Sequence, residues 1–248
     1  MNNISRNVML LAALSSTTAI AGTMGSDLEA GREWVLQLSL GPVWADAGKK
    51  QDMFLAPDIA KGYMADNKFN SLFNGEIFAG QQKTFSDSVK GQLGLAFAAT
   101  GNAHLQGNIW DDADPEFDNY RYSYKVRSTR LMIKGVAIFD NNGFLAPFVS
   151  AGAGVSFNRA HTFDNTPLIF EAVPNANFTN NTKSSFSYAL AAGVQKTFQT
   201  RWQAGLRYEF SDWGKSELGI APGQSQGTGL RLNHLYTNGV LFHLTYIV

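Results

Sequence analysis

This chain is written in segments of about ten residues whose apolar positions recur every second residue, and the connectors between them alternate long and short. The last segment runs out to the final residue. Val240, Phe242, Leu244, Tyr246 and Val248 share one face, and Gly239, Leu241, His243, Thr245 and Ile247 share the other. A period of two is strand periodicity, because successive side chains leave an extended backbone on opposite sides. It recurs in Trp34, Leu36, Leu38 and Leu40, in Val89, Gly91, Leu93, Leu95 and Phe97, from Leu145 through Val149 to Phe157, and in Trp202, Ala204, Leu206, Tyr208 and Phe210.

Eight strands are predicted: Glu33 to Trp44, Lys68 to Gln82, Ser88 to Ala99, Arg121 to Phe139, Phe144 to Phe157, Ser184 to Phe198, Arg201 to Trp213 and Leu232 to Val248. Ala45 to Asn67, Thr100 to Tyr120, Asn158 to Lys183 and Gly214 to Arg231 are long connectors, whereas Lys83 to Asp87, Asp140 to Gly143 and Gln199-Thr200 are tight. The Asp140-Asn141-Asn142-Gly143 run favours a turn, since Asn and Gly tolerate positive φ. The fourth segment changes apolar parity between Val126 and Leu131, which predicts a bulge there or a continuation of the strand into a different solvent. An even strand count, with short turns at one end and long loops at the other, is the pattern of a closed antiparallel up-and-down barrel.

Met1 to Ala21 reads as a secretory signal, with Arg6 as its positive start, Val8 to Leu14 as its apolar core and Ala19-Ile20-Ala21 as a cleavage site. Residues 22–32 form a short polar lead, and residues 33–248 form the barrel domain. No later stretch is apolar enough for a membrane helix. The formal net charge is zero, so no global field recruits nucleic acid. The absence of Cys excludes disulfides and thiolate chemistry.

Alternation alone fits two solvents: a soluble barrel with a greasy cavity, or a membrane barrel with a greasy exterior. Three features favour the membrane. Charged residues are 16% of the chain, well below the roughly 25% usual in soluble domains. The set opposite the apolar face is small or polar, as in Lys90, Gln92, Gly94, Ala96 and Ala98, or Gln203, Gly205, Arg207 and Glu209. Trp34, Trp44, Trp202, Tyr208, Trp213 and Tyr246 fall toward strand ends, where amphipathic rings suit the membrane interface. Lys196 breaks the apolar face, but beside the Gln199-Thr200 turn its ammonium can reach the interface along its own stem.

With these features the chain resembles the eight-stranded outer-membrane β-barrel proteins of Gram-negative bacteria, a group that includes the OmpA-type transmembrane domain and the opacity-type surface proteins. The resemblance covers everything after the signal. Its most specific part is Tyr236 to Val248, similar to the terminal strand read by the outer-membrane assembly machinery, although such strands usually end in an aromatic residue and this one ends in Val248. The resemblance implies a monomer in the outer membrane, in contact with its lipid and lipopolysaccharide, with both termini periplasmic and four long extracellular loops that could meet a host or surface ligand.

Glu76, Lys90, Lys134, Arg207 and Glu209 are expected inside the barrel as a lumen charge network, since a charge buried without a partner costs several kcal/mol. The cations in that set outnumber the anions, so some partner or water is missing from it. His104, His161, His234 and His243 show no metal-ligand spacing. His234 near Thr237 only weakly suggests the His-hydroxyl pairing of lipid A-modifying barrels, because parity puts the two on opposite faces. The acidic run from Trp110 to Asp118 lacks the spacing and the Gly of a calcium loop. Phe163, Phe170, Val173 and Phe178 in the third long connector are candidates either for a contact patch or for packing among loops. No catalytic residue, cofactor or metal site is expected. The expectation is a non-enzymatic surface protein serving envelope integrity or adhesion through its loops; the alternatives are a narrow passive channel and a lipid A-modifying enzyme.

Overall fold

The computed structural model describes residues 32–45, 48–66, 70–140, 144–170, 172 and 175–248. The signal, the polar lead up to residue 31, the turn residues Asn141 to Gly143 and Val173 lie outside the described residues.

Among the described residues twelve strands follow in chain order: β1 (Arg32–Ala45), β2 (Gln51–Ala56), β3 (Ile59–Ala65), β4 (Asn70–Ser86), β5 (Val89–Asp111), β6 (Asp118–Phe139), β7 (Ala146–Pro167), β8 (Asn181–Thr197), β9 (Trp202–Asp212), β10 (Ser216–Glu217), β11 (Arg231–Leu232) and β12 (Tyr236–Ile247). Eight of them close a ring. β1 pairs with β4, then β4 with β5, and pairing continues through β6, β7, β8, β9 and β12, which returns to β1 with Leu38 opposite Leu244. Every contact in the ring is antiparallel and follows the order of the strands around it, so closure leaves no edge and the ladders pair the wall's amides apart from those at bulges.

The remaining strands decorate the loop end. β2 and β3 form a hairpin within the first long connector, and β3 adds to the upper part of β5, with Tyr63 opposite Ile109. β10 and β11 make a two-residue ladder in the last connector.

Much of the sequence assigned to long connectors is therefore strand. β5 runs on past Ala99 to Asp111, β6 starts at Asp118, and β7 continues to Pro167. The parity reading of the fourth segment is corrected in one respect. Even-numbered residues of β6 face inward along its whole length, and the bulge lies on its partner: between Ala99 and Asn102, β5 advances three residues while β6 advances two, from Thr129 to Arg127. What changes along β6 is the solvent. Below, its inward side chains include Ser128, Arg130 and Lys134 beside Met132, Val136 and Ile138, and its outward ones include Leu131 and Ile133; above, the inward ones are Tyr120, Tyr122, Tyr124 and Val126 and the outward ones include Arg121, Lys125 and Arg127. The barrel is apolar outside and polar inside over its lower part, and the reverse at the loop end.

Candidate functional site

On the lower barrel the outward residues form an apolar band: Leu36, Leu38, Leu40, Ile77, Leu93, Leu95, Phe97, Leu131, Ile133, Val155, Leu206 and Phe242 are all exposed. So much contiguous apolar surface is stable only against hydrocarbon. Aromatic rings edge the band. At the turn end stand Trp34, Phe85 and Phe144, with Trp202 packed on Tyr246 at 4.9 Å between centroids. At the loop end stand Trp44 and a run of rings joining Tyr188, Phe210 and Tyr236. Tyr208 is exposed one outward position below Phe210. The Lys196 ammonium lies over the Phe144 ring, 3.5 Å from its centroid. The chain is a membrane-spanning β-barrel.

Trp213 does not belong to this girdle. It is fully buried, its indole N–H donates to Thr237 Oγ1 at 2.9 Å, and the Arg130 guanidinium stacks on its ring at 4.1 Å.

Beneath Trp213 the lumen is plugged by charge. Glu76 Oε1 accepts from Lys134 Nζ at 2.5 Å and from Arg207 Nη2 at 2.8 Å. Glu209 takes Arg207 through Nε and Nη2 on Oε2, at 3.1 and 2.8 Å, and takes Arg130 Nη2 on Oε1 at 2.7 Å. Arg207 Nη1 also donates to Ser39 at 2.9 Å, and Ser211 donates to Glu209. Each carboxylate thus holds two strong cationic donors, which is what lets such charges survive burial.

Of the five residues expected in the network, Glu76, Lys134, Arg207 and Glu209 meet. Lys90 does not join them: its side chain is partly exposed near the turn end and pairs with Asp140 at 3.2 Å. The set also omitted Arg130, which shares the inward parity of Lys134 and takes the place of Lys90 as third cation; the plug therefore still holds three cations against two carboxylates, and no further carboxylate joins it among the described residues. Toward the turn end the lumen holds glutamines beside a buried cluster of Val136, Ile138 and Phe148, with Gln92 donating to Gln82, Gln195 to Gln203 and Gln37 to Thr245. His243 sits among them, edge-on to Phe148 and 3.4 Å from Gln195.

Above the plug the loop end is capped by rings. Tyr63 of the β2–β3 hairpin packs on Tyr122 and on Phe178, each at 5.6 Å, and Phe163 stacks on Tyr122 and meets Phe178 at 5.0 Å. Desolvation in this cap pushes the Tyr63, Tyr122 and Tyr124 phenols well above their ordinary range. Phe163 and Phe178 are core, whereas Phe170 is fully exposed and continues an exposed run with Leu168 and Ile169 at the tip of the β7–β8 connector.

Three carboxylates of the acidic run are engaged in local contacts. Asp111 pairs with Lys61 and accepts from Asn119, Asp114 caps the amide of Glu116, and Asp118 accepts from Asn108. No cluster of three metal-ligating side chains occurs among the described residues. His234 bonds Asp212 at 2.8 Å and stacks on Tyr236, while Thr237 lies inside against Trp213, so the His-hydroxyl pair does not form.

No family model matches the chain. A Rickettsia conorii protein named "Putative adhesin RC1281" is 24% identical over 198 residues, spanning 79% of this chain and 73% of its own length. A Rickettsia canadensis protein with the same kind of name is 22% identical over 218 residues, spanning 84% and 85%. Among solved structures, neisserial surface protein A aligns over 87% of this chain and 98% of its own, with a TM-score of 0.45 and 10% identity. The attachment invasion locus protein of Yersinia pestis aligns over 87% and 99%, with a TM-score of 0.35 and 13% identity. The barrel assignment rests on this chain's own register and exposure.

Proposed function

We propose that this chain is an outer-membrane surface protein that works in adhesion through its loop end, with that end outside the cell and both termini in the periplasm. The observation that carries this reading is the division of the barrel: the lumen is filled by ion pairs and roofed by aromatic rings, while β5, β6 and β7 continue past the apolar band to hold a folded outer structure. A plugged eight-stranded barrel offers no route through it, so contact at its exposed end is the work left to it. The run Leu168-Ile169-Phe170 supplies unburied apolar surface at that end. The names of the two rickettsial relatives point the same way.

The test is adherence of cells displaying the protein to cultured host cells. Leu168→Ser, Ile169→Ser and Phe170→Ser together are expected to lower adherence to near that of cells without the protein, with heat-modifiable gel migration unchanged. Adherence that persists after these changes overturns the tip as the contact. A peptide tag inserted at residue 170 is expected to be labelled by antibody on intact cells. Labelling only after permeabilisation overturns the orientation.

A further inference from the structure

The extension of β6 and β7 carries a group of cations that make no ion pair among the described residues. Asn102 of β5 lies opposite Arg127 of β6, which lies opposite Arg159 of β7; two residues farther out, His104 lies opposite Lys125, which lies opposite His161. All six face outward, and Arg127 and Arg159 are exposed. Directly opposed side chains stand about 5 Å apart at Cβ, so the two arginines repel each other where a sheet would ordinarily pair opposite charges. Among the described residues no carboxylate forms an ion pair with Lys125, Arg127 or Arg159. Asp66 pairs instead with Arg121, farther up the strand. Asp164 sits opposite Ser123 and makes no ion pair among the described residues. Burial, and then Arg159, Lys125 and Arg127, hold the His161 imidazole below the usual histidine range.

The height of the group says what could neutralise it. On β7 the outward residue before Arg159 is Phe157, still in the apolar band, and on β6 Arg127 follows Thr129 and Leu131. A strand tilted by about 40° climbs about 2.5 Å per residue, so Arg159 stands about 5 Å beyond Phe157 and Arg127 about 10 Å beyond Leu131. That is the depth of lipid headgroups, which lie within about 5 to 8 Å of the hydrocarbon edge.

We propose that Lys125, Arg127 and Arg159 form a binding site for the phosphate groups of a phosphorylated glycolipid in the surrounding outer leaflet. Guanidinium forks match phosphate oxygens in pairs, and a bound phosphate turns the repulsion between the opposed arginines into a shared contact. The lipid lies flat against β6 and β7 with its acyl chains along Phe157, Leu131 and Ile133. The inference rests on the orientation proposed above.

The experiment uses the full mature chain refolded into phosphatidylcholine nanodiscs doped with lipid A, either bisphosphorylated or enzymatically dephosphorylated, with retained lipid counted by native mass spectrometry. Wild type is expected to retain the bisphosphorylated form selectively. Arg127→Gln and Arg159→Gln are each expected to weaken retention by about fivefold. Lys49→Gln/Lys215→Gln, which changes loop cations elsewhere, is expected to match wild type. Equal retention of both lipids, or retention unaffected by the arginine changes, overturns the proposal. So does binding of soluble heparin at these arginines without lipid preference, which would assign them to a soluble sulfated polymer. Because the adherence test changes only Leu168 to Phe170, either reading can fail while the other stands.

Discussion

At the scale of single residues, the lumen is decided by two carboxylates serving three cations. Glu76 holds Lys134 and Arg207, and Glu209 holds Arg207 and Arg130, so Glu76→Ala leaves a buried ammonium without its acceptor. Breaking a buried network from one side costs about 3 to 5 kcal/mol, because the surviving charges stay desolvated. The urea midpoint of the barrel in lipid vesicles, followed by tryptophan fluorescence, should fall accordingly. The double change Glu76→Leu/Lys134→Met, which removes both members of one pair, should recover a large part of that loss. A second residue-level outcome concerns His161. Its proton affinity is lowered by burial and by three cations, so Arg127→Gln/Arg159→Gln should raise its pKa while leaving it below the usual range. Because protonation is disfavoured only in the folded state, the His161 contribution to stability is fully present above the ordinary histidine pKa and is lost as pH falls below it. The double variant should flatten that loss, as read by imidazole NMR titration alongside unfolding. Parity contained more of this site than was read from it. Arg130 shares its register with Lys134, and Trp213 has the inward, odd parity of Arg207 and Glu209, so both could have been placed in the lumen by counting alone. Lys90 shares the inward parity, yet it sits near the end of its strand, and depth cannot be counted without knowing where the barrel stops.

At the scale of elements, β6 shows why alternation is legible and solvent is not. One strand keeps a single geometric parity over its whole length, but water lies outside its upper half and hydrocarbon outside its lower half, so the same inward positions carry three tyrosines above and two cations among apolar side chains below. A reader of the sequence sees a break in pattern; the backbone has none. The irregularity opposite the change of pattern, one extra residue at Ala99 to Asn102 of β5, falls among Ala, Thr, Gly and Asn, where no strong apolar signal marks the face. Small residues also set how closely strands approach: Gly80 lies opposite Gly94, and a Cβ on Gly80 would press on the buried Phe78 ring at 2.8 Å as well as on the backbone of β5. The change of solvent along β6 has a measurable consequence. Ile133→Arg places a cation deep in the band and should cost about 2 to 4 kcal/mol, whereas Thr129→Arg, near the boundary, should cost about 1 kcal/mol or less. Vesicle unfolding titrations of the two variants check this gradient, and equal costs would mean that the hydrocarbon edge does not lie between these positions.

At the scale of the whole molecule, closure and filling are separate achievements. The ring of eight strands was legible because each strand carries its own period and each tight turn its own chemistry, and an even count leaves the final strand beside the first. The filling was legible in composition but not in arrangement, because which side chains meet across a lumen depends on strand stagger. The structure puts two seals in series: the ion-paired plug at Glu76, Arg130, Lys134, Arg207 and Glu209, and above it the ring cap of Tyr63, Tyr122, Phe163 and Phe178. An eight-stranded barrel is only about as wide as the side chains that fill it, so either seal alone is enough to stop ions. Wild type in planar bilayers should therefore show no unitary current. Tyr63→Ala/Phe163→Ala/Phe178→Ala should also be silent, because the plug remains beneath the opened cap. Glu76→Ala/Arg130→Ala/Lys134→Ala should be silent for the converse reason. Only the combination should conduct, with heat-modifiable migration confirming that each variant has closed. Steady current through wild type would instead make the lumen the working part of the protein, and the argument for adhesion at the loop end would lose its physical basis.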